Sequence, residues 1–239
     1  MAVHHRSEIE VKHKVGVTPA DFAMYKDILS KLKFRESGHY IETDYLPDTD
    51  DGLCKKNGLL LRFRHVRTKT TSEWVLTLKT RSSSTDVIEF FETELSFKDG
   101  ENETFRHIND VLSRVVGRTL SPRLLQMDTL DSVREALVED GFTAHRILLD
   151  KYRQKYAKGQ DHVLLDYFPD QMGAYIELES HDRESLDRLS TLLAIQTKKL
   201  TDDYGDILKS HKSGLSYLQQ RTALFSPNEI KELLGYGDE

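Results

Sequence analysis

Residues 7–15 read Ser-Glu-Ile-Glu-Val-Lys-His-Lys-Val, in which charged residues alternate with mostly apolar, branched ones. On a β-strand this order places Glu8, Glu10 and Lys12 together on one face of the sheet and the apolar residues on the other. A single amphipathic edge strand would show the same pattern, so the stretch alone does not define a site. Its recurrence further along the chain predicts a sheet with one charged face and one apolar face.

Seven more segments have strand character. They are residues 40–46, 59–66, 73–80, 87–97, 146–156, 162–168 and 173–179. Six of these segments carry charges on a single face: Arg62 and Arg64, Lys79, Glu92 and Glu94, then Lys151, Arg153 and Lys155, Asp166, and finally Glu177 and Glu179. About eight strands result, the number at which a closed barrel has an interior that side chains fill or that holds one small ligand.

Helical patterns lie between and after these strands. Apolar residues recur at helical spacing over residues 22–32 and 105–115, and a second, less regular segment runs from 121 to 141. In the tail, residues 186–193, 202–219 and a segment from 226 onward are predicted as helices. We expect an α+β fold: a closed eight-stranded antiparallel β-barrel with helices packed outside and a C-terminal helical segment. Residues 1–239 form one domain in this prediction, with strands over about 7–97 and 143–180 and helical cover over about 102–140 and 182–234.

Composition narrows the class of ligand only slightly. The formal charge of −6 argues against a general nucleic-acid or membrane-surface binder, although a local basic cavity is compatible with it. Cys54 is the single cysteine, which excludes a disulfide framework and fits a reducing compartment. No stretch approaches the roughly 20 apolar residues of a membrane span. We therefore expect a cytoplasmic protein without a membrane partner, and the sequence leaves its oligomeric state open.

The charged strand faces predict a ligand inside the barrel. If helices cover the apolar face, the charges line the interior, where a dry and unpaired charge costs on the order of several kcal/mol. Mutual salt bridges are one explanation, but buried ion pairs alone stabilise a fold weakly. The alternative is that the cations hold a polyanion, while the acids hold hard cations such as magnesium or manganese on the same oxygens. We favour this second reading.

Taken in order, these residues resemble the motifs of the triphosphate tunnel metalloenzymes, also called the CYTH superfamily. That superfamily includes class IV adenylyl cyclases, thiamine triphosphatases and inorganic triphosphatases. The matching positions are Glu8, Glu10 and Lys12 for its N-terminal Glu-x-Glu-x-Lys, Arg62 and Arg64 for its Arg-x-Arg, Lys79, Glu92 and Glu94, Arg153 with Lys151 two residues before it, Asp166, and Glu177 with Glu179 for its closing Glu-x-Glu.

The resemblance implies a role for each position. The metal ligands would be Glu8, Glu10, Glu177 and Glu179, with Asp166 assisting. The phosphate-binding residues would be Lys12, Arg62, Arg64, Lys79, Lys151 and Arg153, joined by Lys209 or Lys212 from a C-terminal helix that closes one mouth of the tunnel. Lys12, Glu92 and Asp166 would act in catalysis. Divalent metal, Mg²⁺ or Mn²⁺, would neutralise the phosphates and activate water.

Three functions remain open at this stage. The first is a metal-dependent triphosphatase acting on a small triphosphate, inorganic triphosphate or thiamine triphosphate. The second is an adenylyl cyclase that makes cyclic AMP from ATP, and the third is a polyphosphate- or nucleotide-binding module without catalysis. At Leu60 the sequence departs from vertebrate-type thiamine triphosphatases, which carry Trp two residues before the first Arg of Arg-x-Arg.

Overall fold

The fold is built around one sheet with helices on its outer face. The computed structural model describes residues 6–81, 88–200 and 202–236, with the backbone alone at 6–8, 81 and 88–90. The strands of this part are β1 (Arg6–Gly16), β2 (Arg35–Asp48), β3 (Leu59–Arg67), β4 (Ser72–Arg81), β5 (Ile88–Ser96), β6 (Ala144–Lys158), β7 (Asp161–Phe168), β8 (Gly173–Ser180), β9 (Lys199–Leu200) and β10 (Thr222–Ala223). The α-helices are α1 (Ala23–Lys31), α2 (Leu53–Lys56), α3 (Glu103–Val116), α4 (Leu130–Glu139), α5 (Arg183–Leu192), α6 (Tyr204–His211) and α7 (Pro227–Leu233).

The eight long strands pair in the order β6-β2-β3-β4-β5-β1-β8-β7, and each neighbouring pair is antiparallel. β7 also pairs with β6, over residues 152–158 of the latter. The two short strands lie where this ring of pairings stops. β1 pairs with β5 only through residues 6–10, and β9 pairs with β1 at Lys12 and His13. Strand β10 runs parallel to β6 at Leu148 and Leu149, before the pairing with β7 begins.

These pairings correct one prediction and confirm another. The antiparallel α+β class is confirmed. The regular, closed eight-stranded barrel is wrong, because the sheet contains ten strands and its long strands are not paired along their whole length. The short strands β9 and β10 pair with β1 and β6 where the pairing of the long strands stops. Strands of two residues carry too little hydrophobic patterning to be recognised from sequence.

Helices α3 and α4 cover the apolar face of β3 and β4. Asn102 caps α3 by accepting a hydrogen bond from the Thr104 N–H at 2.8 Å, and Gly117 ends the helix at a φ of 68°. The residues that fill this layer include Leu61, Phe63, Leu76, Phe105, Ile108, Leu112, Val133 and Leu137. Burying each such side chain contributes roughly 1.5–3 kcal/mol, so this layer directs the charged face of the same strands inward.

Helix α5 and the segment 19–31 cover β1, β7 and β8 in the same way. Val11, Ile176 and Leu178 pack there with Phe22 and Leu186. At the far end of β1, Lys14 is exposed to solvent, so the charged face of this strand enters the interior only through its earlier residues.

Helix α6 is shorter than the predicted segment 202–219, because it ends at His211 and the chain turns at Gly214, whose φ is 91°. Gly205 lies in its first turn against Ile147 of β6. A Cβ atom at Gly205 would lie 2.8 Å from Ile147 Cγ1, so glycine permits this close approach. None of the helices in the described part of the chain combines the length and apolar character that a membrane span requires.

Candidate active site

The inward faces of the strands enclose a cavity of about 310 Å³. Its acidic lining residues are Glu10, Glu42, Asp44, Glu92, Glu94, Glu177, Glu179 and Asp203, and its basic ones are Lys12, Arg62, Arg64, Lys79, Lys151, Arg153 and Lys155. The two signs are nearly balanced among the described lining residues. Such a lining suits a ligand that itself combines anionic and cationic parts better than it suits a bare polyanion.

Three buried glutamates form what we call the carboxylate triad: Glu10, Glu177 and Glu179. One oxygen from each lies within 4.8 Å of the others. The strand register causes this approach, because Glu10 of β1 lies directly opposite Glu179 of β8, and Lys12 lies opposite Glu177. Like charges directly opposite each other destabilise a sheet, so the pairing of Glu10 with Glu179 favours a cation between them.

The pKa values of two triad members, Glu10 and Glu177, are shifted in opposite directions. Burial raises the pKa of Glu10, the neighbouring Glu177 raises it further, and Lys12 opposes both, with its Nζ 2.5 Å from Glu10 Oε1. Burial would also raise the pKa of Glu177, but Lys12, Arg153 and Lys151 hold it well below its usual range. Two neighbouring carboxyls are thus driven in opposite directions, as expected when like charges share one site.

The triad fits a hard divalent cation. It offers only carboxylate oxygens, the ligand type that selects Mg²⁺, Mn²⁺ or Ca²⁺ over softer metals. A divalent ion would also relieve the repulsion that raises the pKa of Glu10. Glu8, the fourth predicted ligand, has its side chain outside the described residues.

Asp166, which was predicted to assist in metal binding, lies outside the carboxylate triad. It is fully buried, is not among the residues that line the cavity, and is not part of the triad. Its two oxygens accept hydrogen bonds from Arg153 Nε at 2.7 Å and Nη2 at 2.6 Å. Arg153 Nη2 also donates to Glu177 Oε2 at 3.1 Å. Asp166 therefore orients Arg153 beside the triad, and this bidentate pair takes up the lone pairs that a metal would need.

Tyr204, which the sequence analysis missed, completes this corner of the cavity. Its hydroxyl donates a hydrogen bond to Asp166 Oδ2 at 3.0 Å, and its ring lies 5.3 Å from Lys12 Nζ and 5.6 Å from Lys151 Nζ. Burial raises the pKa of Tyr204 well above its usual value, and the negative charge of Asp166 adds to this. The phenol therefore stays protonated and acts as a fixed donor.

On β3, β4 and β5, Arg62, Lys79 and Glu92 form a second charged group. Glu92 Oε1 accepts from Arg62 Nη2 at 3.1 Å, and Glu92 Oε2 lies 3.1 Å from Lys79 Nζ. Burial would raise the pKa of Glu92, but Lys79 and Arg62 lower it overall. Arg62 Nε is buried and has no hydrogen-bond partner in the protein. An anion in the cavity would provide an acceptor for this donor.

Glu42 and Asp44, which we call the β2 acids, also line the cavity and were missed. Asp44 accepts from Arg64 Nε at 2.6 Å and Nη2 at 2.8 Å. Glu42 accepts from Arg64 Nη1 at 2.9 Å and lies 2.7 Å from Lys151 Nζ. Burial would raise the pKa of Glu42, but Arg64 and Lys151 lower it to about 2. The sequence could have indicated both acids, because they lie two residues apart on one face of a predicted strand.

Neither Lys209 nor Lys212, one of which was predicted to bind phosphate, is among the residues that line the cavity. Lys209 pairs with Asp206 on its own helix. Lys212 pairs with Asp170 and donates to the Thr222 carbonyl at 2.6 Å. The helix that was predicted to enter the site does so, but through Asp203 and Tyr204 at its start.

Comparison with known proteins places this arrangement in a family. The CYTH domain profile matches residues 6–207, and the chain belongs to the CYTH domain family. This is the superfamily of triphosphate tunnel metalloenzymes that the sequence motifs resemble. No curated protein matches the chain by sequence.

Solved structures share the fold at low sequence identity. PH1819 from Pyrococcus horikoshii has a TM-score of 0.57 and 17% identity, and the match covers 86% of this chain and 99% of that one. A proposed adenylate cyclase from Vibrio parahaemolyticus has a TM-score of 0.57 and 15% identity, over 86% and 99%. HpAC1 from Hippeastrum, a proposed adenylyl cyclase described as having a dominant triphosphatase activity, has a TM-score of 0.56 and 18% identity, over 90% and 99%.

Proposed function

We propose that this protein is a divalent-metal-dependent triphosphatase that hydrolyses a small triphosphate, either inorganic triphosphate or thiamine triphosphate. The observation that carries the proposal is the carboxylate triad set beside Lys12 and Arg153 in one cavity of about 310 Å³. Membership of the CYTH family supports it, as does the triphosphatase activity described for HpAC1.

In this proposal the triad, with Glu8, holds Mg²⁺ or Mn²⁺. When bound, the metal would supply charge neutralisation at the phosphates and an activated water. The balanced lining agrees with such a ligand, because a triphosphate and its metal ions together carry little net charge.

The phosphate chain would be bound by cations on the remaining walls: Lys12, Arg62, Arg64, Lys79, Lys151 and Arg153. Arginine forks bind phosphate oxygens in a bidentate manner, and lysines act as point charges. Arg62 Nε has an unmet hydrogen bond to offer. Arg64 is fixed by its ion pairs with the β2 acids. We therefore propose that it contributes positive electrostatic potential to the phosphate site without changing its contacts.

Arg153 is the residue we assign to the transferred phosphoryl group. Asp166 holds its Nε and Nη2, and Tyr204 holds Asp166. Positioning of this kind lets a cation stabilise developing charge without reorganisation during the reaction. Glu92, fixed between Arg62 and Lys79, remains a proposed catalytic residue, and its carboxylate would act in the ionised form because both cations lower its pKa.

One wall of the cavity is apolar and bears on the choice of substrate. Leu46, Leu60, Ile147 and Leu149 line it. This surface provides a place for an organic group attached to the triphosphate. Position 60 of this wall is leucine and not the tryptophan of vertebrate-type thiamine triphosphatases, which argues against thiamine triphosphate. Inorganic triphosphate, however, has no organic group to cover the apolar wall, so both substrates should be tested.

The test is a product assay with purified protein and inorganic triphosphate, thiamine triphosphate or ATP, each with Mg²⁺, Mn²⁺ or EDTA. We expect phosphate release from inorganic or thiamine triphosphate that requires metal. The matched variants are Glu10→Gln, which removes a triad ligand, and Glu139→Gln, which removes an exposed acid far from the cavity.

Three results would contradict the proposal. Cyclic AMP and pyrophosphate from ATP, without phosphate release from the other substrates, would indicate a cyclase. Tight triphosphate binding without turnover would indicate a binding module. Equal phosphate release by wild type and Glu10→Gln would show that the activity does not arise at the triad.

A further inference from the structure

A second cavity, of about 240 Å³, lies next to the central one. Ile147 lines both cavities, and Gly205 packs against the Ile147 side chain. This contact forms the wall between them. The second cavity is lined by residues of β2, α2, β6, α6 and the segment around Tyr217 and Arg221.

Basic side chains from four separate segments converge on this cavity. Lys55 and Lys56 come from α2, Arg146 from β6, Lys209 from α6, and Arg221 from a short 3-10 turn. Segments distant in sequence bring them together, so their proximity is a product of the fold rather than of one basic stretch.

The acids of the same cavity do not balance these charges. Asp48 is buried and accepts from the backbone N–H groups of Thr49 and Cys54, each at 2.8 Å. It lies 3.7 Å from Arg146 Nη1. Asp50 is the other acid among the described lining residues, and it accepts a hydrogen bond from Thr143. Five basic groups therefore line the cavity with two carboxylates, and a third carboxylate, that of Asp206, pairs with Lys209 just outside the lining, in a protein whose formal charge is −6.

Asp206 marks the point at which these cations meet. Its carboxylate pairs with Lys209, and burial would raise its pKa, but Lys209, Lys55 and Arg146 lower it overall. Lys209, Lys55 and Arg146 thus lie near enough to one carboxylate to influence its pKa, although they come from different segments of the chain. All three also line the second cavity.

We propose that the second cavity is a binding site for a small phosphate-bearing anion. The cavity is smaller than the roughly 300–1,000 Å³ of pockets for drug-sized ligands, which favours phosphate, pyrophosphate or a small phosphate ester. Arg146 and Arg221 supply planar donors, and the lysines supply point charges. The inference does not depend on the proposed hydrolysis, because none of these basic residues lines the central cavity.

The test is a titration of the isotope-labelled protein with inorganic phosphate, pyrophosphate or glycerol phosphate in EDTA, followed by NMR of the backbone amides. We expect shifts around residues 144–147 and 217–221 that saturate at millimolar concentrations. Lys55→Gln/Arg221→Gln should weaken this binding by about tenfold, or about 1.4 kcal/mol. Shifts near Lys12 and Arg153 report the central cavity separately.

The matched control is Lys31→Gln/Lys198→Gln, which removes the same charge from exposed positions that do not line either cavity. It should bind as the wild type does. Saturable shifts with inorganic anions identify a free phosphate as the ligand, and shifts with glycerol phosphate alone identify an ester. Absence of saturable shifts at the second cavity, or equal weakening in the control, would overturn the proposal. If the double variant does not fold, Lys56→Gln takes its place with the same expected direction.

Discussion

The carboxylate triad and the β2 acids face the same cavity but have different partners across the sheet. Asp44 lies directly opposite Arg64, and Glu42 lies directly opposite Lys151. Glu10, in contrast, lies directly opposite Glu179. Opposite charges in register stabilise a strand pair, whereas like charges in register oppose it. Each of the β2 acids thus lies opposite a base, whereas the triad contains one like-charged pair, Glu10 and Glu179, beside the pair of Glu177 with Lys12. We therefore expect the β2 acids to stabilise the fold without metal and the triad to bind a cation.

The largest expected effect is on catalysis. Replacement of Glu179 by Gln should lower metal-dependent phosphate release by about 1,000-fold, because loss of even an outer partner of a metal ligand typically costs 10–100-fold. Phosphate assays with a matched Glu94→Gln variant would measure it. Glu94 is a half-exposed acid of the same cavity outside the triad, and its replacement should cost about fivefold or less. Equal losses in both variants would remove the distinction between the triad and its neighbours.

The next effect is on stability. Asp44→Asn should lower the free energy of unfolding by about 3 kcal/mol, since it leaves the buried Arg64 without its bidentate partner. Glu179→Gln should change the metal-free protein by less than about 1 kcal/mol, because it removes a charge from a crowded site. Urea denaturation in EDTA would compare them, with the exposed Glu139→Gln as reference. A larger loss for Glu179→Gln than for Asp44→Asn would reverse our assignment.

Metal binding should stabilise the protein through the triad with Glu8 and not through the β2 acids. At about 100 times its dissociation constant, Mg²⁺ or Mn²⁺ should raise the free energy of unfolding of the wild type by about 2.7 kcal/mol. Asp44→Asn should keep this gain and Glu179→Gln should lose it. Denaturation curves with metal and with EDTA would measure the difference. A gain in Glu179→Gln that matches the wild type would place the metal elsewhere.

The smallest effect concerns mild acid. The pKa of Glu42 is lowered to about 2 from 4.5, so its ionic contribution is complete above pH 4.5 and is lost as the pH falls toward 2. Stability of the wild type should therefore decline as the pH falls below about 4.5. Glu42→Gln should be less stable at neutral pH and should show a flatter decline. Urea midpoints at several pH values would test this, and parallel curves for the two proteins would contradict it.

Much of the fold was readable from alternation alone. Seven of the eight long strands begin and end within two residues of their predicted segments, because apolar and charged positions alternate with period two. The exception is β2, which begins five residues before its predicted segment and is twice as long. The alternation does not determine which residues of neighbouring strands lie opposite each other. Glu42 and Asp44 carry the same acid-x-acid pattern as Glu177 and Glu179, and only the partner strand distinguishes them.

The tail shows a second limit of sequence reasoning. From the predicted segment 202–219, Lys209 or Lys212 was expected at the cavity, whereas the residues of this segment that line it are Asp203, Tyr204 and Gly205. Which end of a short helix enters a site depends on distant packing, here the fit of Gly205 against Ile147. No local pattern encodes such a contact, and an apolar ring beside two lysines is recognisable only in three dimensions.

The pairing of β10 with β6 bears on how much of the chain the fold needs. The family match stops at residue 207, yet the backbone N–H of Phe225 donates to the buried Asp150 carboxylate at 3.0 Å. A chain cut at the family boundary would expose the β6 edge at Leu148 and Leu149 and would leave Asp150 with the Thr43 hydroxyl but without the Phe225 N–H as a donor. An unpaired strand edge can form hydrogen bonds with the edge of another molecule, so such a fragment would be prone to aggregate. Strand β10 thus protects the β6 edge at Leu148 and Leu149 from pairing with another molecule.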